Sequence, residues 1–245
     1  MTPTSLYPRS IYLVSLLLTL LSVTPVSAAD PVPGEEVRNV GEFTAIQVQD
    51  SVNIVYRNDA ALNGTVRWQS ADKALSDRLI INNGKGKLKI QIHTEDFADD
   101  DHPSMPTLYV YSSRLSKVLN YSDAQIVVEA PAQCEQMEFS QIGNGSIVAS
   151  GLSVNEIYAK VTAGMGTISL SGTCKEATFR MTGTGTIQAD QLTCGDVRCR
   201  IFGGGTIGCC PGSRLSVTGI GSTKIYYTGT PEITHKGGGK LIPIN

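Results

Sequence analysis

Four segments decide the fold: GNGSIVAS (143–150), GMGTISLS (164–171), GTGTIQAD (183–190) and GGGTIGCC (203–210). Each sets a Gly-x-Gly pair before a Ser or Thr and then an Ile. The pairs are Gly143/Gly145, Gly164/Gly166, Gly183/Gly185 and Gly203/Gly205, followed by Gly219/Gly221 and Gly237/Gly239. They recur every 16 to 21 residues, with period-two apolar alternation between them and no helical stripe. One such unit cannot bury its own apolar face. Stacked units can, by laying each strand beside the same strand of the next coil at about 4.8 Å. The glycines then mark structural turns at the corners, where φ is positive or backbones approach closely. In this register Ile147, Ile168, Ile187 and Ile207 form one interior column, and Ala149, Leu170, Ala189 and Cys209 a second. Ser146, Thr167, Thr186 and Thr206 form an outward row of hydroxyls. The expected fold is all-β: a right-handed parallel β-helix, or β-solenoid, with coils of about 16–21 residues. A β-sandwich with Gly-rich turns is the alternative, and the fixed period disfavours it.

Upstream the pattern loosens. In FTAIQVQDSVNIVY (43–56) the residues Ile46, Val48, Val52 and Ile54 alternate around Asp50-Ser51, which predicts strand–turn–strand. TVRWQ (65–69) is a further short strand, and ADKALSDRL (71–79) allows a helical turn or two. IINNGKGKLKIQIH (80–93) reads as a hairpin turning at Asn82-Asn83-Gly84. YSDAQIVVEA (121–130) is a degenerate first copy of the repeat. The expected organisation is a signal peptide (1–28), a linker (29–38) and a single domain (39–242). Within that domain an irregular, hairpin-containing antiparallel β region (39–120) precedes the coils (121–242).

The first segment carries Arg9, an apolar run from Ile11 to Leu21, and a small-residue cleavage site at Val26-Ser27-Ala28. That is the pattern of a secretory signal peptide. The run is too short to span a bilayer, which takes about 20 residues. The expected protein is therefore secreted, periplasmic or at the cell surface, without a membrane span in its mature form. Lys+Arg number 20 and Asp+Glu 22, and this balance argues against a nucleic-acid-binding surface.

The residues resemble a family. FTAIQVQDSVNIVY, the LKIQI strand, the G-x-G-[ST]-I copies and the terminal GSTKIYYTGTPEI (221–233), with Tyr227, Gly229 and Pro231, are similar to the "putative auto-transporter adhesin, head GIN domain" family of exported bacterial proteins. The resemblance covers about residues 39–240. It implies a β-helical fold and a cell-surface or secreted setting, as in Bacteroidetes-like bacteria. It implies no established activity and no catalytic residues.

Candidate sites are few. Gly203 to Gly208 matches G-x-G-x-x-G, but Cys209-Cys210-Pro211-Gly212 cannot open the helix that a dinucleotide site needs. No cofactor is expected. Glu95, Asp96, Asp99, Asp100 and Asp101 crowd one acidic loop. Carboxylates so close could share a Ca²⁺, yet EF-hand spacing is missing, and a solvated loop or ligand contact fits better than a metal site. Cys174 and Cys194 are one repeat apart, so stacking brings their Cα atoms within disulfide reach. A reduced ladder of small apolar groups fits the same spacing. Cys134 and Cys210 share their offset from the next Gly pair. Acids such as Glu135, Glu138, Glu156, Glu176 and Asp196 look scattered, and no G-x-S-x-G elbow occurs. The expected role is non-catalytic adhesion or binding of a glycan or envelope protein, through the 94–102 loop or the hydroxyl row. A polysaccharide-active enzyme and a self-assembling envelope component, homo-oligomeric through its open strand edges, are the alternatives.

Overall fold

The computed structural model describes residues 34–70, 72–93 and 105–244. The expected signal segment and the acidic loop with Glu95, Asp96, Asp99, Asp100 and Asp101 lie outside the described residues. The chain enters as β1 (Glu35–Asn39), followed by β2 (Ala45–Val48), β3 (Ile54–Arg57), β4 (Thr65–Gln69) and the single turn α1 (Lys73–Asp77). Asp72 caps α1, its carboxylate accepting from the Ala74 N–H at 2.8 Å. Then come β5 (Leu79–Gly84), β6 (Lys87–Ile92), β7 (Leu108–Tyr111), β8 (Lys117–Asn120), β9 (Gln125–Glu129) and β10 (Cys134–Ile142). The long strands β11 (Ser146–Ala163), β12 (Thr167–Met181), β13 (Thr186–Ile201) and β14 (Thr206–Gly219) precede β15 (Lys224–Thr228), β16 (Glu232–Gly237) and β17 (Lys240–Ile244).

The strands stack as a solenoid with two parallel faces. One face runs β6, β2, β8, β10, then the second halves of β11 to β14, then β16. The other runs β7, β3, β9, the first halves of β11 to β14, then β15 and β17. The isoleucine column is longer than the repeats alone suggest. Leu108, Ile54, Ile126, Ile147, Ile168, Ile187, Ile207, Ile225 and Leu241 lie side by side through the core. On the opposite wall Phe139, Ala159, Phe179, Cys199 and Val217 follow one another, all buried. Large and small side chains alternate, so each phenyl ring fills the space its smaller neighbours leave.

The N-terminal region departs from the expected irregular antiparallel layer. β2 and β3 do not pair with each other. They form a complete coil, flanked by β6/β7 on one side and β8/β9 on the other, all parallel. The solenoid thus begins at Ala45, not at residue 121, and its second coil in space is the first in sequence. Antiparallel pairing is confined to the end of the stack, where β5 borders β6 and β4 borders β7. The linker expected over 29–38 ends in β1, which runs antiparallel to β4. Its anchorage is specific: Glu35 pairs with Arg67 at 3.2 Å in a mostly buried contact, and the Arg38 guanidinium lies 5.4 Å over the Trp68 ring. The β5–β6 hairpin turns at Lys85-Gly86, directly after the Asn-Asn-Gly signal. Both residues take positive φ, 54° and 73°, as a two-residue turn with the right twist requires.

The corners use two devices, and the two glycines of a pair are not equivalent. At Gly219, φ is +133° and a Cβ would lie 1.9 Å from the Ile201 carbonyl oxygen. The expectation that both glycines of each pair are turn residues holds at Gly221, where φ is +136°, and needs correction at the second glycine of the first four pairs. Gly145, Gly166, Gly185 and Gly205 are buried and lie outside the bend, each immediately before its strand, β11 to β14. Their φ is ordinary, so no turn geometry selects them. Space does: a Cβ would stand 2.3 Å from the Ala124 oxygen at Gly145, 2.6 Å from Gln141 Cγ at Gly166, and 2.2 Å from the Gly185 oxygen at Gly205. The chain has finished bending there and is pressed against the coil beneath, so stacking excludes a side chain. The corner between β8 and β9, lacking glycine, is built from side chains instead. The buried Asn120 amide donates to the Ala124 carbonyl at 2.7 Å, and the Ser122 hydroxyl donates to Asn120 Oδ1 at 2.9 Å.

Candidate binding surface

In-register stacking turns each outward position of one coil into a row along the molecule. Ser146, Thr167, Thr186 and Thr206 are such a row, half-buried beside the Gly-x-Gly corners and continued by Lys224. Gln136, Glu156, Glu176, Asp196, Arg214 and Glu232 are another, on the opposite face. Three of the acids that look scattered in the sequence, Glu156, Glu176 and Asp196, are therefore a column, and Glu135 and Glu138 lie outside it. Like charges at strand spacing are separated by cations reaching across coils. Arg198 binds Glu176 at 2.6 Å, and Arg214 binds Asp196. The hydrogen bond from Arg214, with its charge, holds the Asp196 carboxyl below the usual carboxylate range. Glu156 keeps no such partner among the described residues. With Gln136, Tyr158, Thr178 and Arg198 it lines a shallow groove of about 230 Å³.

The larger groove, about 690 Å³, runs along the edge where one coil passes to the next. Gln133, Glu135, Ser153, Asn155, Thr173 and Lys175 line it, contributed by three successive coils. Asn155 donates to the Glu135 carboxylate, and the Gln133 amide donates to the Ser153 hydroxyl at 3.4 Å. The lining offers amides, hydroxyls and one charge of each sign. Cys134 sits in the wall with its thiol pushed up by burial, so it is a neutral thiol at pH 7. The sequence pattern missed this groove, because its residues are unremarkable until stacking aligns them.

Cys174 and Cys194 face each other on adjacent coils as a disulfide, with Cα atoms 4.7 Å apart and a sequence separation of 20. Cys134 is held from this pair by Val154 in the coil between. Cys210 does not share their row: the coil shortens there, so Cys210 meets Thr193 and Pro211 takes the place opposite Cys194. Cys199 and Cys209 are buried. Their mutual contact, with desolvation second, keeps the Cys199 thiol well above its usual range. Closing a loop of this length is worth about 3 kcal/mol in the chain-entropy model. Reduction, or Cys174→Ser with Cys194→Ser, is expected to lower the free energy of urea unfolding by that amount, and an unchanged midpoint would contradict the staple.

Among the described residues no three His, Cys, Asp or Glu side chains are placed to hold a metal ion. No helix among them is long and apolar enough to cross a membrane.

The fold recurs in solved structures. A putative adhesin from Bacteroides fragilis is similar at 18% identity and TM-score 0.74, covering 86% of this chain and 96% of its own. A putative lipid binding protein from Parabacteroides distasonis matches at 20% identity and TM-score 0.66, covering 86% and 97%. A putative adhesin from the same organism matches at 18% identity and TM-score 0.60, covering 86% and 96%. At these identities the likeness is one of fold. No curated protein matches the sequence. The family model described as "putative auto-transporter adhesin, head GIN domain" matches residues 42–231, and with the stacked Gly-x-Gly coils in place the chain belongs to that family.

Proposed function

We propose that the chain is an exported, non-catalytic binding module of the bacterial cell envelope, and that its ligand is a glycan or an envelope protein. The observation that carries this reading is the 690 Å³ groove, where three coils converge amides, hydroxyls, Glu135 and Lys175 on one open trough. Such a lining suits a ligand rich in hydroxyl groups. The hydroxyl row at Ser146, Thr167, Thr186 and Thr206 offers a second polar track at strand spacing. Two structural relatives bear the name adhesin, and the family name does likewise, which supports a surface role. The N-terminal signal pattern supports export, and the acidic 94–102 loop is a further candidate contact.

A glycan-array screen of the unit from Pro31 to Asn245, with sugar release followed on the same polymers, tests the proposal. Saturable binding without release is expected. Asn155→Ala and Thr173→Val should each weaken it about two- to tenfold, the worth of one hydrogen bond. Thr167→Val with Thr186→Val tests the hydroxyl row in the same assay. Release of sugar overturns the non-catalytic reading. Binding to an envelope protein instead, lost in the same variants, would select the second ligand class.

A further inference from the structure

The Gly-x-Gly edge of the solenoid carries three exposed apolar side chains: Met165 at 72%, Phe202 at 54% and Ile220 at 76% of full exposure. Phe202 and Ile220 are neighbours. The Phe202 N–H donates to the Met181 carbonyl at 2.7 Å and the Ile220 N–H to the Ile201 carbonyl at 2.8 Å. This places them on one outward row of successive coils, about 4.8 Å apart. The same row holds Thr182 one coil earlier, whose N–H donates to the Val161 carbonyl at 2.9 Å. Around the pair the edge is bare backbone, with Gly203 to Gly205, Gly219, Gly221 and Gly237 to Gly239. The two side chains therefore project as tips.

Both flanks of this edge are cationic. Lys160, Arg180 and Arg200 lie in register on one face, and Thr218 and Lys236 continue their row. Lys224 and Lys240 lie side by side on the other face, both exposed. The Arg180 guanidinium sits 5.7 Å from the Phe202 ring centre. None of these six cations has a carboxylate partner among the described residues, whereas Arg57, Lys117, Arg198 and Arg214 do. The sequence shows the same polarisation: from Val197 to Asn245 there are six Lys and Arg and one acid, Glu232, in a chain of net charge −2.

Stacked cations repel, and exposed benzyl and sec-butyl groups are costly in water. An anionic lipid surface relieves both at once, because apolar tips enter the headgroup–acyl boundary while cations meet the surface charge. We propose that this edge docks on an anionic lipid bilayer, with Phe202 and Ile220 inserted and Arg180, Arg200, Lys224, Lys236 and Lys240 against the phosphates. A polyanionic glycan would need only the cations and would leave the apolar tips unused. The edge shares no residue with the lining of the 690 Å³ groove, so this docking stands independently of the glycan or protein reading.

Co-sedimentation of the Pro31–Asn245 unit with vesicles tests the docking. That unit is compact by itself and omits the apolar run of the leader. Vesicles of phosphatidylglycerol with phosphatidylethanolamine are compared with phosphatidylcholine alone, at low and high salt. At least tenfold tighter partition onto the anionic vesicles is expected, falling as salt rises. Phe202→Thr with Ile220→Thr places the residue of Thr182 on both tips and should lower partition about tenfold. Arg180→Gln and Arg200→Gln should each lower it about fivefold, on anionic vesicles only. These side chains stand outside the core, so thermal midpoints should stay within a degree or two of the parent. Equal partition onto both vesicle types overturns the proposal, as does anionic binding that survives the loss of both tips. Binding to polygalacturonate without vesicle binding, lost with the arginines and indifferent to Phe202 and Ile220, also overturns it and assigns the edge to a polyanion.

Discussion

Gly219→Ala is expected to cost roughly 3–5 kcal/mol of unfolding free energy, the sum of a strained φ and an overpacked contact. The position has φ +133° and no room: the new methyl would stand 1.9 Å from the Ile201 oxygen, a backbone atom that cannot swing aside. Yielding would break the hydrogen bond from the Ile220 N–H to that same oxygen and part β14 from β13. Gly84→Ala is the matched control. Its Cβ would meet nothing within 4 Å, and its φ is ordinary, so no loss and a gain of up to about 1 kcal/mol is expected. Urea unfolding midpoints compare the two. If both variants stay within about 1 kcal/mol of the parent, close backbone stacking is not what fixes the corners.

Phe179→Ala carries the other large effect, about 3–5 kcal/mol. The ring is fully buried between Ala159 and Cys199, which are too small to collapse into the void. Phe179→Leu keeps most of the volume and should cost less than half as much. Calorimetric or urea unfolding distinguishes them. Equal losses would mean that the alternation of large and small along this wall does not govern its packing.

What the sequence made legible follows from how local each signal is. The register of Ile147, Ile168, Ile187 and Ile207 needs only a repeat length, and the Gly-x-Gly pairs supply it. The different duties within a pair were not legible, because Gly145 and Gly166 are selected by the coil beneath them and not by their own dihedrals. The role of β2 and β3 needs partners far along the chain, in β6 to β9, and no short-range pattern announces them. The column Glu156, Glu176, Asp196 is visible only once strands are counted outward from the corners. Cys210 lost its place because the coil between Gly203 and Gly219 is short and its register slips between Ala189 and Thr193. β1 hid because Pro31, Pro33 and Gly34 mark a linker, whereas the anchoring contacts of Glu35 and Arg38 are tertiary. The family resemblance located the domain and was silent on the groove, since a groove depends on which side chains the coils align.

The interleaving of the first coil sets an order of events for a chain that emerges from its N-terminus. β2 and β3 have an unfilled edge on each side until later segments arrive, and the hydrogen bond from the Gln125 N–H to Asn53 Oδ1 closes a span of 72 residues. Closing so long a loop is entropically slow. Once β9 is seated, every further coil joins a finished template with a loop of about one repeat. Assembly is thus a slow seed followed by rapid zippering toward β17. Substitutions in β2 or β3 would then retard refolding, while those in β13 or β14 would chiefly hasten unfolding, so the two ends of the same stack answer to different clocks.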